Sequence, residues 1–219
     1  VSHGQAAGVA GFNDAPQSTA APGSVGVWGE SQNLDGVSGV SHSAQHAGVA
    51  ANNGAGGYGL WARAKTAGYF DGDVEVTGDV RLINADVAEN FNVVEPAVAS
   101  PGTVMVLDET GALEPGSRPY DKRVVGVVSG AGRFKPGLIL DSGESRASRV
   151  QIALVGKVFC KVDASTTPID AGDLLTTSST PGHAMKAGDP VKAFGAVIGK
   201  ALDSFRSGRG LIPILVALQ

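Results

Sequence analysis

The residues best suited to chemistry are two carboxylates that lie close together in the chain, Asp86 and Glu89, within the segment NADVAENF at residues 84–91. Two carboxylates at this spacing can act as a general acid and a general base if one of them is desolvated and keeps its proton. The alternative is that both are solvated loop acids, or that they make contacts across a subunit interface. The residues alone leave both interpretations open.

Three aromatic residues, Trp28, Tyr58 and Trp61, are candidates for binding a glycan. Aromatic faces next to polar groups are a common way to hold such ligands. Trp28 and Trp61 occupy the same third position of a repeated four-residue phrase, so both side chains point inward or both point outward. They therefore either pack between chains or form an exposed binding stripe.

The remaining candidates predict no metal site and no cofactor. His42 and His46 are four residues apart, a metal-ligand spacing on a helix, but their surroundings do not have a helical pattern. Cys160 is the single cysteine and lies in a predicted strand, which indicates a small buried apolar residue. The glycine-rich residues 54–59 lack the Lys-Ser/Thr ending of a phosphate-binding loop.

The elements that would position these residues begin with a repetitive region that contains no Lys or Arg before Arg63. One phrase, a glycine followed by an apolar residue and two further residues, recurs at residues 8–11, 26–29, 36–39, 48–51 and 59–62. This recurrence is typical of a β-solenoid or a fibre. One apolar side chain per turn buries too little surface in a single chain, so we expect residues 1–80 to form an intertwined homotrimeric β-helix. A single-chain solenoid is the alternative.

The second half of the chain, residues 81–219, has the pattern of a β-rich head. Residues 74–82 alternate apolar and polar side chains, which predicts a half-buried strand. Two hairpin-like units of matching length follow, since the spacing from Gly102 to Gly126 is nearly the same as the spacing from Gly172 to Gly195. Residues 150–159 predict a further strand, and residues 211–218 a final one that Pro213 would place at a sheet edge. The fold class is therefore all-β, with a barrel-like or sandwich-like head.

Composition excludes several functional classes. The chain has 17 basic and 21 acidic residues and a net charge of −4, whereas a general nucleic-acid binder needs a basic face. No apolar run approaches the ~20 residues of a membrane-spanning helix. A single cysteine cannot form a disulfide within the chain.

The segment DVAENF at residues 86–91, followed by the phrases at 102–104, 125–129 and 155–158, resembles the C-terminal head of phage tail and appendage fibres. It is most similar to the intramolecular-chaperone head of the peptidase G2 type. The resemblance implies a head that follows a trimeric β-helix, drives homotrimer assembly and can cut the chain once, just upstream of Asp86 and Glu89. The chain departs from the family pattern at Val87, where an aromatic residue is usual, and at Asn84 and Ala85, near the cut.

Three functions remain open from the sequence. The first is a structural and adhesive fibre component of a virion appendage or a cell-surface fibre, with further copies of itself as partner. The second is a module that binds a glycan or another receptor. The third is a glutamic-type autopeptidase that acts once and uses Asp86 and Glu89; because of the departures near the cut, we expect assembly without cleavage.

Overall fold

The computed structural model describes residues 27–143 and 148–217. The chain divides into two compact units, Val1–Glu75 and Val76–Gln219. The repeat phrase at residues 8–11 and the first part of the predicted stalk lie outside the described residues.

Glycines close the loops of the repetitive region. A Cβ atom on Gly29 would lie 2.6 Å from the carbonyl oxygen of Gly36, and a Cβ on Gly39 would lie 2.6 Å from that of Gly48. The chain therefore leaves one phrase, forms a loop and returns beside its own path to begin the next phrase. Only a residue without a Cβ fits such an approach, which explains why glycine recurs at these positions.

The predicted β-helix is not seen in the single chain. Residues 27–75 contain no helix or strand, and their side chains are exposed. The strand expected over residues 74–82 is also missing, and Val74, Val76 and Val80 are exposed. Alternation alone does not make a strand, because a strand needs a neighbour to accept its backbone hydrogen bonds.

The second unit confirms the all-β prediction. Its described residues form ten strands, which are β1 (Asp86–Asn92), β2 (Val104–Leu107), β3 (Leu113–Pro115), β4 (Val124–Val128), β5 (Pro136–Leu140), β6 (Arg149–Asp163), β7 (Leu174–Thr177), β8 (Ala184–Lys186), β9 (Val197–Ala201) and β10 (Arg209–Ala217). One 3₁₀ turn, Pro96–Val98, and one short helix, α1 (Pro190–Ala193), complete the described elements. No helix among the described residues is long and apolar enough to cross a bilayer.

Five strands close into a barrel. Their order is β10-β9-β7-β8-β6, and β6 pairs with β10 to complete the ring. The interior is filled by buried apolar side chains that include Val158, Val162, Leu175, Ile198 and Ile214. Closure leaves these strands without a free edge, which is the usual solution for a small β-domain.

The duplicated unit predicted from the sequence is present as two three-stranded units within one continuous sheet. β2 pairs with β3 and β4, and β7 pairs with β8 and β9. In each unit the ladder to the third strand shifts register once, between Met105 and Val106 in the first and between Leu175 and Thr176 in the second. The shared irregularity lies at equivalent positions, so the two units have the same local structure.

The sequence analysis matched Gly126 of the first unit to Gly195 of the second, and the strand pairing corrects this match. Met105 pairs with Gly126, and its counterpart Leu175 pairs with Gly199. Gly199, and not Gly195, therefore corresponds to Gly126. The near-equal spacings in the sequence are misleading because helix α1 lengthens the connection in the second unit.

The long strand β6 connects the barrel to the rest of the head. It pairs with β1, β4, β8 and β10. A second buried cluster, which includes Met105, Leu113, Val128 and Ile152, packs beside the barrel. The predicted strand at residues 150–159 is confirmed within this element.

Pro213 does not mark a sheet edge, since its strand β10 pairs with both β6 and β9. Pairing with β9 covers only residues 214–216 of β10, and the carbonyl of Pro213 accepts a hydrogen bond from the N–H of Leu202. The missing N–H of Pro213 therefore falls at the end of the ladder with β9 and removes at most one terminal hydrogen bond.

Candidate functional site at the start of the head

Asp86 is the first residue of β1, and its side chain is almost fully buried, with 3% exposed. The hydroxyl of Ser129 donates a hydrogen bond of 2.7 Å to its Oδ2. The other oxygen, Oδ1, is buried and has no hydrogen-bond partner among the described residues. A buried carboxyl group with one oxygen unsatisfied is costly when ionised.

This environment changes the acidity of Asp86. Burial raises the pKa of the carboxyl group above its ordinary value of 3.8, and the hydrogen bond from Ser129 opposes part of that rise. The neutral form can donate a proton in a hydrogen bond, as a general acid must. Asp86 is therefore desolvated, which is one of the two properties that the sequence-based hypothesis required of a carboxylate.

The structure does not bring Glu89 to the same place. Asp86 and Ala88 are buried, whereas Val87 and Glu89 are partly exposed, as alternation along a strand requires. The two carboxylates therefore point to opposite faces of β1. An Asp86–Glu89 acid–base pair is not formed in this arrangement, and self-cleavage stays a prediction.

The peptide just before Asp86 is hydrogen-bonded on both sides, to the residue that precedes β5 and to β6. The N–H of Ala85 donates to the carbonyl of Lys135 at 3.0 Å, and the carbonyl of Ala85 accepts from the N–H of Lys157 at 3.2 Å. A Cβ on Gly156 would lie 2.6 Å from that carbonyl oxygen, so a glycine is needed there. The predicted cleavage region is thus an ordered part of the head.

A cavity of about 260 Å³ opens beside this peptide, and the sequence analysis did not find it. It is lined by Ile83, Asn84, Ala85, Arg133, Phe134, Lys135 and Lys157. Arg133 and Lys157 lie 5.3 and 5.5 Å from the centre of the Phe134 ring, within cation–π range. Ser129 was also missed as a partner of Asp86, although it ends the phrase at residues 125–129 that carried the family resemblance.

The three aromatic candidates are exposed in the single chain. The exposed fractions are 68% for Trp28, 81% for Tyr58 and 70% for Trp61. The indole N–H of Trp28 donates to a carboxylate oxygen of Glu30 at 3.1 Å. Trp28 thus has an acidic neighbour, as a sugar-binding aromatic residue often has, while no stacked pair forms among these three within the described residues.

The other candidates from the sequence are His42, His46 and Cys160. No group of three or more His, Cys, Asp or Glu side chains within residues 27–143 and 148–217 is arranged to hold a metal ion. Cys160 is fully buried, which confirms the interpretation of it as a small core residue.

No family model and no curated protein matches this chain. Among solved structures, the pre-mature gene product 12 of bacteriophage phi29 aligns with 67% of this chain at a TM-score of 0.50 and 14% identity. The two proteins share a fold. The match spans only 24% of the length of gene product 12. A C-terminal fragment of the same phage protein aligns over 60% of this chain, and the base of the phi29 head fibre gp8.5 over 61%, with TM-scores of 0.42 and 0.28 and identities of 14% and 17%.

Proposed function

We propose that this chain is a structural component of a phage fibre, in which three copies intertwine as a β-helical stalk and the heads nucleate their assembly. The observation that carries the proposal is the state of residues 27–84. Nearly every side chain there is exposed, and only two backbone–backbone hydrogen bonds form within this described stretch, His46 to Ser43 and Gly56 to Asn53. Such a segment has neither a core nor a ladder of its own.

Further copies of the chain supply what the segment lacks. Backbone groups that are shielded from water must find hydrogen-bond partners, and apolar side chains must find apolar neighbours. Val37, Val49, Leu60 and Trp61 are all exposed within the phrases, and the glycine closures keep successive phrases close together. Three such chains around one axis can pair their phrases and bury these side chains in one shared interior.

The head would help three stalks to align in the same register during assembly. Aligning three weakly structured chains in register has a large entropic cost before any contact forms. A closed barrel that folds within one chain can associate first and hold three stalks in the same register. The fold shared with a phage protein supports the assignment to a virion appendage.

A native mass spectrum of the purified chain tests the proposal. The expected mass is three times that of the single chain, which is 22.0 kDa. A single species at 22.0 kDa at micromolar concentration contradicts the trimer.

Self-cleavage is a second candidate, favoured by the buried Asp86 and the ordered peptide before it. The same spectrum distinguishes it, because cleavage near Asn84 would give a trimer of shorter pieces. Asp86→Asn would then restore the intact chain. If Glu89→Gln also restores it, Glu89 acts in the reaction from its opposite face of β1, whereas continued cleavage assigns the role to Asp86 alone.

Adhesion through the stalk is a third candidate, favoured by the exposed pair of Trp28 and Glu30. A glycan that stacks on the indole would be held by the carboxylate through hydrogen bonds to its hydroxyl groups. Binding on a glycan array that is lost in Trp28→Ala, with the trimer mass unchanged, would support this role.

A further inference from the structure

We propose that an apolar surface on the outside of the head is the contact through which three heads associate. The surface consists of Val87, Leu138, Val155, Leu215 and Ala217, and we call it the β1 face. The proposal deepens the proposed function and rests on it, since it assigns the interface of the same trimer.

The register of the strands places these side chains in a row. Val87 on β1 pairs with Leu138 on β5 and with Val155 on β6. Val155 in turn pairs with Ala217 on β10. Residues that lie directly opposite each other on paired strands share a face of the sheet. An apolar row therefore crosses four neighbouring strands.

The row faces outward. Val155 is 60% exposed, Leu138 is 45% exposed, and Ala217 is also exposed. Leu215, two residues before Ala217 on the same side of β10, is exposed as well. The outer face of an antiparallel sheet is normally polar, so a contiguous apolar row marks a surface that another molecule covers.

The position of the β1 face in the chain identifies that molecule as another copy. β1 is the first strand of the head, and the residues that lead into it, Val80, Leu82 and Ile83, are also exposed and apolar. Leu82 lies next to Gly137 of β5: a Cβ built on Gly137 would be 3.5 Å from the Leu82 Cβ. Exposed apolar residues thus run from the segment before the head onto β5. If three stalks share one axis, the residues that lead from each stalk into its head also lie near that axis. The β1 face is the part of the head that directly follows these residues, so it would lie near the axis as well.

Charge supports the same partner. Lys157 and Lys200 are the paired neighbours of Leu215 on β6 and β9, so the apolar row has a basic margin at its β10 end, while Glu89 follows Val87 on the same face of β1. Residues 73–83 carry three acidic residues, Asp73, Glu75 and Asp79, and one basic residue, Arg81. A lead-in segment from a neighbouring copy would bring these acids to the lysines, whereas an unrelated basic partner would be repelled.

Thiol labelling of the full chain tests the proposal without disrupting packing. Two variants, Val155→Cys and Val191→Cys, each carry one new thiol at a site exposed in the single chain, by 60% and 83% respectively. Val191 lies on α1, outside the β1 face, and serves as the matched control. The native thiol of Cys160 is fully buried and stays silent.

In the assembled protein we expect a maleimide to label the Val155→Cys thiol at least about tenfold more slowly than the Val191→Cys thiol, because labelling must wait for the interface to open. In denaturant the two thiols should react equally. Equal rates in a protein with the mass of a trimer overturn the β1 face and leave the trimer intact. A wild-type mass of 22.0 kDa overturns the proposed function itself. If Val155→Cys fails to assemble, Leu138→Cys provides the same measurement from β5.

Discussion

Burial sets the acidity of two side chains in the head, those of Cys160 and Asp86. Desolvation raises the pKa of the Cys160 thiol to about 12, so this cysteine is unreactive in the folded chain. The same effect raises the pKa of Asp86, whose carboxyl group accepts a hydrogen bond from Ser129. The sequence showed that Asp86 lies near Glu89, but the buried environment comes from β4 and β6, which are distant in the chain.

Asp86 should make the stability of the head depend on pH. Its pKa is higher in the folded chain than the ordinary value of 3.8, so the folded state binds this proton more tightly than the unfolded state does. Its contribution is therefore most favourable below pH 3.8, falls as the pH rises through the folded pKa and is constant above it. Asp86→Asn is neutral at every pH and keeps an oxygen for Ser129, so it should be more stable than wild type at pH 7.

Denaturant midpoints measured by circular dichroism across the acid and neutral range check this expectation at fixed chain concentration. Ser129→Ala is the matched variant, because it removes the hydrogen bond that lowers the pKa and should widen the pH window of the fall. If the midpoints of the wild type and of Asp86→Asn change with pH in parallel, Asp86 is not the source of this pH dependence.

At the scale of elements, the two three-stranded units show how a local irregularity is preserved by contact with a neighbouring strand. Gly126 faces the backbone of β6, and a Cβ there would lie 2.5 Å from the Ala153 oxygen. Gly199 faces the backbone of β10, and a Cβ there would clash with the Leu215 oxygen. Both glycines allow a strand to approach its neighbour at the shift in register. Backbone atoms cannot move aside as the end of a flexible side chain can, so a side chain is poorly tolerated at either position.

Gly199→Ala should therefore destabilise the head by about 1–3 kcal/mol, the usual cost of overpacking. Gly188→Ala is the matched control, since a Cβ there meets no atom within 4 Å, and it should change stability by no more than about 0.5 kcal/mol. Urea unfolding of the two variants at equal concentration measures the difference. Equal midpoints would mean that β9 and β10 can separate at this point without cost.

At the scale of the whole molecule, the two units differ in how far a single chain can bury its apolar side chains and pair its backbone hydrogen-bonding groups. The head has a closed barrel and two buried clusters. Residues 27–75 have exposed apolar side chains and almost no backbone hydrogen bonds of their own. This contrast predicts that the head folds as a single chain, whereas the stalk gains its structure only on association.

Tryptophan fluorescence can follow that association, because Trp28 and Trp61 are the only two tryptophans and both lie in the stalk region. If the indoles pack between chains, emission of the assembled trimer should be blue-shifted and should move to the red when the chains separate. Emission that is already red-shifted in a confirmed trimer would place both indoles outward and favour the glycan-binding interpretation. Trp61→Phe and Trp28→Phe assign the signal to each position.

The sequence by itself determined the features that depend on neighbouring residues. Alternation and turn glycines predicted the strand at residues 150–159, the paired units and the all-β class, because these patterns reflect the period of a strand and the demands of tight turns. The glycine spacing matched Gly126 to Gly195, whereas the strand pairing matches it to Gly199. The lack of Lys and Arg before Arg63 and the few apolar side chains in each repeat phrase indicated a segment that needs partners.

Only the tertiary structure decided which distant residues meet. Asp86 finds Ser129, 43 positions away, through pairing of β1 and β4 with β6. The same pairing turns Glu89 to the opposite face and gathers Val87, Leu138 and Val155 into one row. Register between strands far apart in the chain is set by the packing of the whole domain, and a slip of one residue would reverse every face. The local pattern of apolar and polar residues does not determine this register.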